Sequence, residues 1–314
     1  MKYAFNHPTT AAAASSPMTE PDWERIELEN RGLTIRSSRL LGEGWTSRAY
    51  LVNNELVFRF PKRAEDWQEL EREIEFLSHA GSKLSLSVPA YLNVAPDSAA
   101  AAYGYAVYRY LRGESLDMSA LTARNRAAAA DVLATFLQSL HNLQPSAELS
   151  FLPSEDPRLL AEEYLAHAER HIVPSLQPSD ANALREKFEN YLSTPASTVF
   201  RPSVLHADLS GEHILAQYDS IVGIIDFGDV CWGDSDYDFM YLYVDFGPEF
   251  VGEVARRYGH PDLGQLRKKL DYFAVVDQIG TIVEGSGRAL KGQEEEAWRR
   301  LIKLLRKSNG GGLS

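Results

Sequence analysis

The chain has 314 residues, 44% hydrophobic and 24% charged, which suits a globular protein large enough for two lobes. Its formal net charge of −12 argues against a nucleic-acid partner, since phosphate contacts demand a basic face, and favours cationic ligands. One cysteine, Cys231, excludes an internal disulfide, and no run approaches the ~18 apolar residues of a membrane helix, so a cytoplasmic protein without membrane contact is expected.

Residues 1–21 read as a disordered tail, with a run of four alanines and Met18 as an alternative start, but without the apolar core of a signal peptide. From Leu33 to Pro61 the apolar residues alternate as in strands; Gly42 and Gly44 mark a tight turn, and Asn53-Asn54 suits a hairpin. Trp67, Leu70, Ile74 and Leu77 recur at helical spacing up to Gly81. Strand character returns between Ser87 and Leu111. Residues 22–107 are therefore expected to form a small antiparallel-sheet lobe with one helix.

Helical periodicity takes over at about residue 120, where Val132, Phe136 and Leu140 share a stripe that Pro145 ends. Further helices are expected near 157–172 and 180–193. Two short strands, His213–Ala216 and Ile221–Phe227, joined by the turn QYDS, interrupt them. The rest, to Leu305, is again mostly helical, and 307–314 reads as a flexible tail. Residues 108–306 thus make a larger, mainly helical lobe, and the whole is an α+β arrangement with a cleft between its lobes.

Between Ser203 and Asp229 lie four aspartates, Glu212, His206 and His213, set among apolar strand residues. Acids in such company are costly unless a cation meets them. Asp208 follows His206 by two residues, His213 follows Asp208 by five, and Asp226 opens D-F-G. That is the spacing of the phosphoryl-transfer template, H-x-D-x-x-x-x-N followed by D-F-G, with histidine in the asparagine's place. A hairpin joining the two motifs would bring Asp208, His213 and Asp226 to one pole. There Asp226 and His213 would hold Mg²⁺ against a nucleoside triphosphate, and Asp208 would take the acceptor hydroxyl's proton. Histidine is the softest of these ligands for so hard a cation.

LHADLSGEHIL and GIIDFGDVCWGDSDYDF resemble the aminoglycoside phosphotransferases, particularly the 2″-phosphotransferase branch, over most of Leu33 to Trp298. The resemblance implies a protein-kinase-like bilobal fold with ATP or GTP between the lobes. It also implies Asp208 as catalytic base, His213 and Asp226 as metal ligands, and His206 as a brace of the catalytic loop. Gly42 and Gly44 look like a glycine-rich phosphate loop. Where kinase folds carry lysine on the following strand this chain has Arg59, with Lys62 as the substitute candidate, and Glu73 stands where the family helix pairs with that cation. Tyr105–Leu111 would be the inter-lobe connector.

Between Arg201 and Arg256 the chain has eleven acids and no lysine or arginine, a field that suits a polycationic acceptor as well as a solvated surface. Asp229, Asp234, Asp236 and Asp238 read as caps and turn acids. Asp245, Asp277 and Glu284 are the candidate contacts to substrate amines. Tyr241, Tyr243 and Phe246 read as helix-core residues, or as the lining of a less polar pocket for a macrolide or another cationic metabolite. A monomeric antibiotic kinase conferring resistance is the leading expectation. Against it stand a two-histidine, one-carboxylate iron site built from His206, Asp208 and His213, and a non-catalytic nucleotide binder suggested by Arg59.

Overall fold

Asn53 and Asn54 turn the chain with φ of 53° and 56°, a left-handed geometry that asparagine tolerates. The Asn53 carboxamide fixes the turn by accepting from the N–H groups of Arg36 (2.8 Å) and Ser37 (3.2 Å) and donating to Thr34 O (2.7 Å). This turn joins β2 (Ser47–Val52) to β3 (Leu56–Pro61) in an antiparallel sheet with β1 (Ser38–Glu43), β4 (Tyr91–Ala95) and β5 (Tyr105–Arg109), ordered β1-β2-β3-β5-β4. The computed structural model describes residues 20–154, 156–194, 200, 202–288 and 291–306, apart from the side chains at 120, 284–288, 291 and 293. Residues 1–19, with Met18, and 307–314 of the expected tails lie outside the described residues.

A two-residue period sends the side chains of β3 to opposite faces. Phe58 and Phe60 join Tyr50 and Tyr105 on one face. That face is covered by α1 (Trp23–Glu29), whose Trp23 ring meets Tyr50, Phe58 and Phe60 edge-on at 5.4, 6.0 and 6.0 Å. The sequence reading has no counterpart for α1, because among its seven residues only Ile26 is buried and charged neighbours blur the pattern. Val57 and Arg59 point to the other face, towards α2 (Trp67–Ala80). Leu70, Glu73, Phe76, Leu77 and Ala80 are the buried positions of α2, while the expected Trp67 and Ile74 are only half-buried. A buried glutamate sits in the middle of the apolar stripe because Arg59 is there to meet it.

The second lobe holds β6 (Glu114–Ser115), α3 (Ala123–His141), α4 (Pro157–His171) and α5 (Pro178–Ser193). Next come β7 (Ser203–Leu205), β8 (Ile214–Gln217), β9 (Ser220–Ile224) and β10 (Cys231–Gly233), followed by α6 (Phe239–Tyr258), α7 (Leu263–Arg288) and α8 (Lys291–Arg306). α6 bends at Gly247, where φ is 85° just before Pro248 and the helical hydrogen-bond ladder breaks. The hairpin β8–β9 closes through Tyr218 and Asp219, both left-handed, as the twist of a two-residue hairpin loop requires. Ile214 lies opposite Ile224, and one step further Ile225 N–H donates to His213 O at 3.0 Å. The register therefore sets His213 beside Asp226. β7 pairs with β10, which returns the chain to the same place from the other side.

Phe227, the residue after Asp226, is wholly buried between Phe76 of α2 (5.7 Å between ring centroids) and Phe136 of α3 (6.5 Å). One apolar core thus runs from α2 into the helical lobe. No described helix is long and apolar enough to cross a membrane.

Candidate active site

The loop between β7 and β8 carries Asp208, and the structure holds it from below. Ala207 has φ of 66°, a conformation that costs a residue with a Cβ about 1–3 kcal/mol unless its surroundings impose it. Asp238 imposes it. Its buried carboxylate accepts the N–H groups of His206 (3.0 Å) and Ala207 (2.8 Å), and His141 Nε2 completes the shell at 3.0 Å. Asp238 stands at the N-cap position of α6, yet its side chain does not cap that helix. The expectation of a cap thus names the right place and misses the job. No sequence signal distinguishes Asp238 from Asp234 or Asp236, and His141 is twice removed, on α3.

His206 is fully buried, and burial pushes its pKa down to about 4. The neutral ring accepts Asp208 N–H at Nδ1 (3.3 Å) and donates from Nε2 to Ile225 O (3.1 Å). It therefore braces the catalytic loop against the strand that delivers Asp226.

His213 donates from Nδ1 to Asp208 O at 2.8 Å, which aims Nε2 at Asp226 Oδ2, 3.5 Å away. Its Nδ1 also lies 3.5 Å from Asp208 Oδ2. Burial disfavours charge on this ring, but Asp208 and then Asp226 outweigh it and lift the pKa to about 9. Burial likewise pushes the Asp226 carboxyl up, and Arg59 followed by His213 reverses the effect, leaving it at about 2. Asp226 has φ of 66°, the second strained non-glycine residue in the cluster. The Asp208 carboxyl is raised by burial, against the pull of His213.

Above this cluster lies the sheet. Arg59 Nη1 donates to Glu73 Oε2 at 2.5 Å, and Nη2 reaches Ser47 Oγ at 3.1 Å and Asp226 Oδ1 at 3.3 Å. Tyr91 Oη donates to the other Glu73 oxygen at 2.9 Å. Lys62 is turned away, its ammonium on Gly44 O (2.6 Å) and Glu43 Oε1 (2.8 Å). Of the two basic candidates, Arg59 is thus the one in contact with Glu73 and Asp226. Of the two expected loop glycines, Gly42 lies within β1, opposite Ala49, and Gly44 begins the turn to β2, closed by its N–H on Ser47 O at 2.9 Å. Ser47 and Tyr91 are site-forming residues that the sequence reading does not single out.

On the acceptor side, Asp245 accepts Gly211 N–H at 2.9 Å, so it also anchors the loop. Gly211 is closely packed: a Cβ there would lie 3.0 Å from the Phe246 ring, which would have to shift. Asp277 of α7 accepts from Tyr241 Oη and from Gln278, at 2.8 and 2.7 Å. Burial, with Asp277 adding repulsion, pushes up the Asp208 and Asp245 carboxyls, so these three acids share one electrostatic neighbourhood. Tyr243 belongs to the core, bonded to Asp271 beneath the Arg267 guanidinium. Glu284 falls on α7, but its side chain lies outside the described residues.

Among the described residues no three His, Cys, Asp or Glu side chains form a metal cage. Asp226 and His213 offer one oxygen and one nitrogen on a shared opening. That donor set fits Mg²⁺, which keeps several waters and takes further oxygens from a substrate's phosphates.

The model of the phosphotransferase enzyme family matches residues 37–270. Among solved structures, the chain is similar to the GDP complex of wild-type aminoglycoside 2′-phosphotransferase-IIIa, with 28% identity and a TM-score of 0.85 over 90% of this chain and 97% of that one. It is similar to the GDP and kanamycin complex of APH(2″)-IIIa at 29% identity and a TM-score of 0.85, covering 91% and 98% of the two chains. The fold extends to the macrolide 2′-phosphotransferase MphH from Brachybacterium faecium, at 18% identity and a TM-score of 0.69 over 88% and 96%.

Proposed function

From the premise that this chain belongs to the phosphotransferase enzyme family, we propose that it moves the γ-phosphate of ATP or GTP to a hydroxyl of an aminoglycoside. The observation that carries the reading is the convergence of Asp208, His213 and Asp226 beneath the Arg59–Glu73 pair. Asp208 sits on a loop held by Asp238, Asp245 and His206, so its carboxylate is aimed before any substrate arrives. Its pKa, raised by burial, makes it a better proton acceptor for the attacking hydroxyl. Asp226 and His213 would hold Mg²⁺, which would supply positive charge against the negative charge that develops on the phosphates. The β1–β2 segment with Gly42 and Gly44 would let backbone approach phosphate closely, and Arg59 would offer a fixed positive charge.

The acceptor follows from the acids. Asp277 repels both Asp208 and Asp245, so protonated amines that enter beside these acids relieve a standing cost. An aminoglycoside carries such amines beside hydroxyls, and kanamycin and GDP are present together in a complex of one similar protein. Inactivation of the drug, and hence resistance, is the consequence for a host. Coupled nucleotide-consumption assays over aminoglycosides and macrolides, with Asp208→Asn as control, test this reading. Turnover on aminoglycosides that disappears in Asp208→Asn is the expected result; turnover confined to macrolides overturns the substrate assignment.

A further inference from the structure

Arg59 makes more contacts than a phosphate anchor requires. Its two terminal nitrogens divide the work, Nη1 on Glu73 and Nη2 on Ser47 and Asp226. Both carboxylate partners are immobilised. Tyr91 holds the far oxygen of Glu73. Asp226 is locked by its left-handed backbone, by Phe227 in the core, and by Arg72, which donates across the cleft to Gly228 O at 2.9 Å. Arg59 therefore spans two fixed anions, one from each lobe.

We propose that Arg59 is a resident counter-cation for Asp226, so that the cleft accepts a nucleoside diphosphate without a bound divalent cation. The inference rests on reading the cleft as a nucleotide site. An anionic phosphate chain entering it faces Asp226 and Glu73, and without cations that approach is repulsive. Here Asp226 already has a guanidinium on Oδ1 at 3.3 Å and an imidazole on the Oδ2 side at 3.5 Å. A guanidinium has five N–H donors, and the contacts described use three, which leaves donors for phosphate oxygens. Lysine suits this span less well. Its side chain is shorter and ends in one nitrogen, and neither Glu73 nor Asp226 is free to follow it.

Calorimetric titration of the full chain with ADP and with GDP, in excess MgCl₂ and in EDTA, tests the proposal. Removing magnesium is expected to weaken binding to the wild type less than about fivefold, a change of ~1 kcal/mol. In Arg59→Lys the same removal is expected to weaken binding by more than that. A fivefold or greater loss in the wild type, or equal magnesium dependence in the two proteins, overturns the inference. If neither nucleotide binds the wild type under either condition, the nucleotide reading itself falls. Should Arg59→Lys fail to fold, seen as a lost thermal transition, the wild-type pair of titrations still decides.

Discussion

Two acidic groups drawn from neighbouring stretches of chain meet opposite fates. Asp234 and Asp236 are buried and both grip Lys269, at 2.7 and 2.8 Å, while His260 covers the outer oxygen of Asp236 at 2.9 Å. Asp208 and Asp226 lie partly open in the cleft, and among the described residues His213 approaches the Asp208 carboxylate no closer than 3.5 Å. In the buried group the protein supplies the counter-charge, and the acids hold α7 to the turn before α6. In the open group part of the counter-charge is left to arriving ligands. Acids alone do not mark a catalytic site; incompletely compensated acids on a rigid loop do.

Exchanging roles between the groups should break the contrast. Asp208→Asn removes the proton acceptor and keeps the shape, so phosphate transfer is expected to fall by about 10²–10⁴, with the thermal transition and nucleotide binding retained. Steady-state kinetics beside a melting curve would check both halves. Lys269→Met should do the reverse. It takes the counter-charge from Asp234 and leaves Asp236 with His260 alone, and is expected to cost about 3–5 kcal/mol in chemical denaturation, while turnover per folded molecule stays near wild type.

Proton linkage sharpens the comparison with a milder effect. His206 stays neutral down to about pH 4, whereas an unfolded histidine takes its proton near 6.5, so stability rises with pH between those values. His213 keeps its proton up to about pH 9, whereas the unfolded chain loses it near 6.5, so this contribution fades as pH rises from 6.5 to 9. For these two groups the metal-free protein should melt highest near pH 6.5, and His213→Asn should flatten the alkaline limb. Smallest of all, Asp277→Asn removes one charge from the acceptor wall. It is expected to raise the aminoglycoside KM about two- to fivefold, the worth of a partly solvated ion pair, and to leave kcat nearly unchanged.

Much of this was legible in the residues because local rules govern it. The turns at Asn53-Asn54 and Tyr218-Asp219, the strand alternation around Arg59 and the helices after Ala123 follow from backbone preferences and periodicity. The motif H-A-D-L-S-G-E-H with D-F-G carried its own spacing, and the hairpin register sets its two halves side by side. Other features had no local sign. α1 buries one apolar residue and was hidden among charges. Glu73 is matched to Arg59 only through the family resemblance; helical periodicity by itself gives no sign that this acid is buried, because its partner comes from β3. Asp245 was a candidate amine contact; the structure adds an anchoring bond to Gly211 that spacing does not reveal.

The sequence by itself determined the order of the main strands and helices, α1 and the short strands β6, β7 and β10 apart, the kinase-like spacing of Asp208, His213 and Asp226, and the excess of negative charge. These are properties of neighbours along the chain, where dihedral preference and period suffice. Only the tertiary structure decided which acids are neutralised by the protein and which await a cation. That outcome depends on side chains distant in sequence, Arg59 against Asp226 and Lys269 against Asp234, and on the burial that makes an unpaired charge costly.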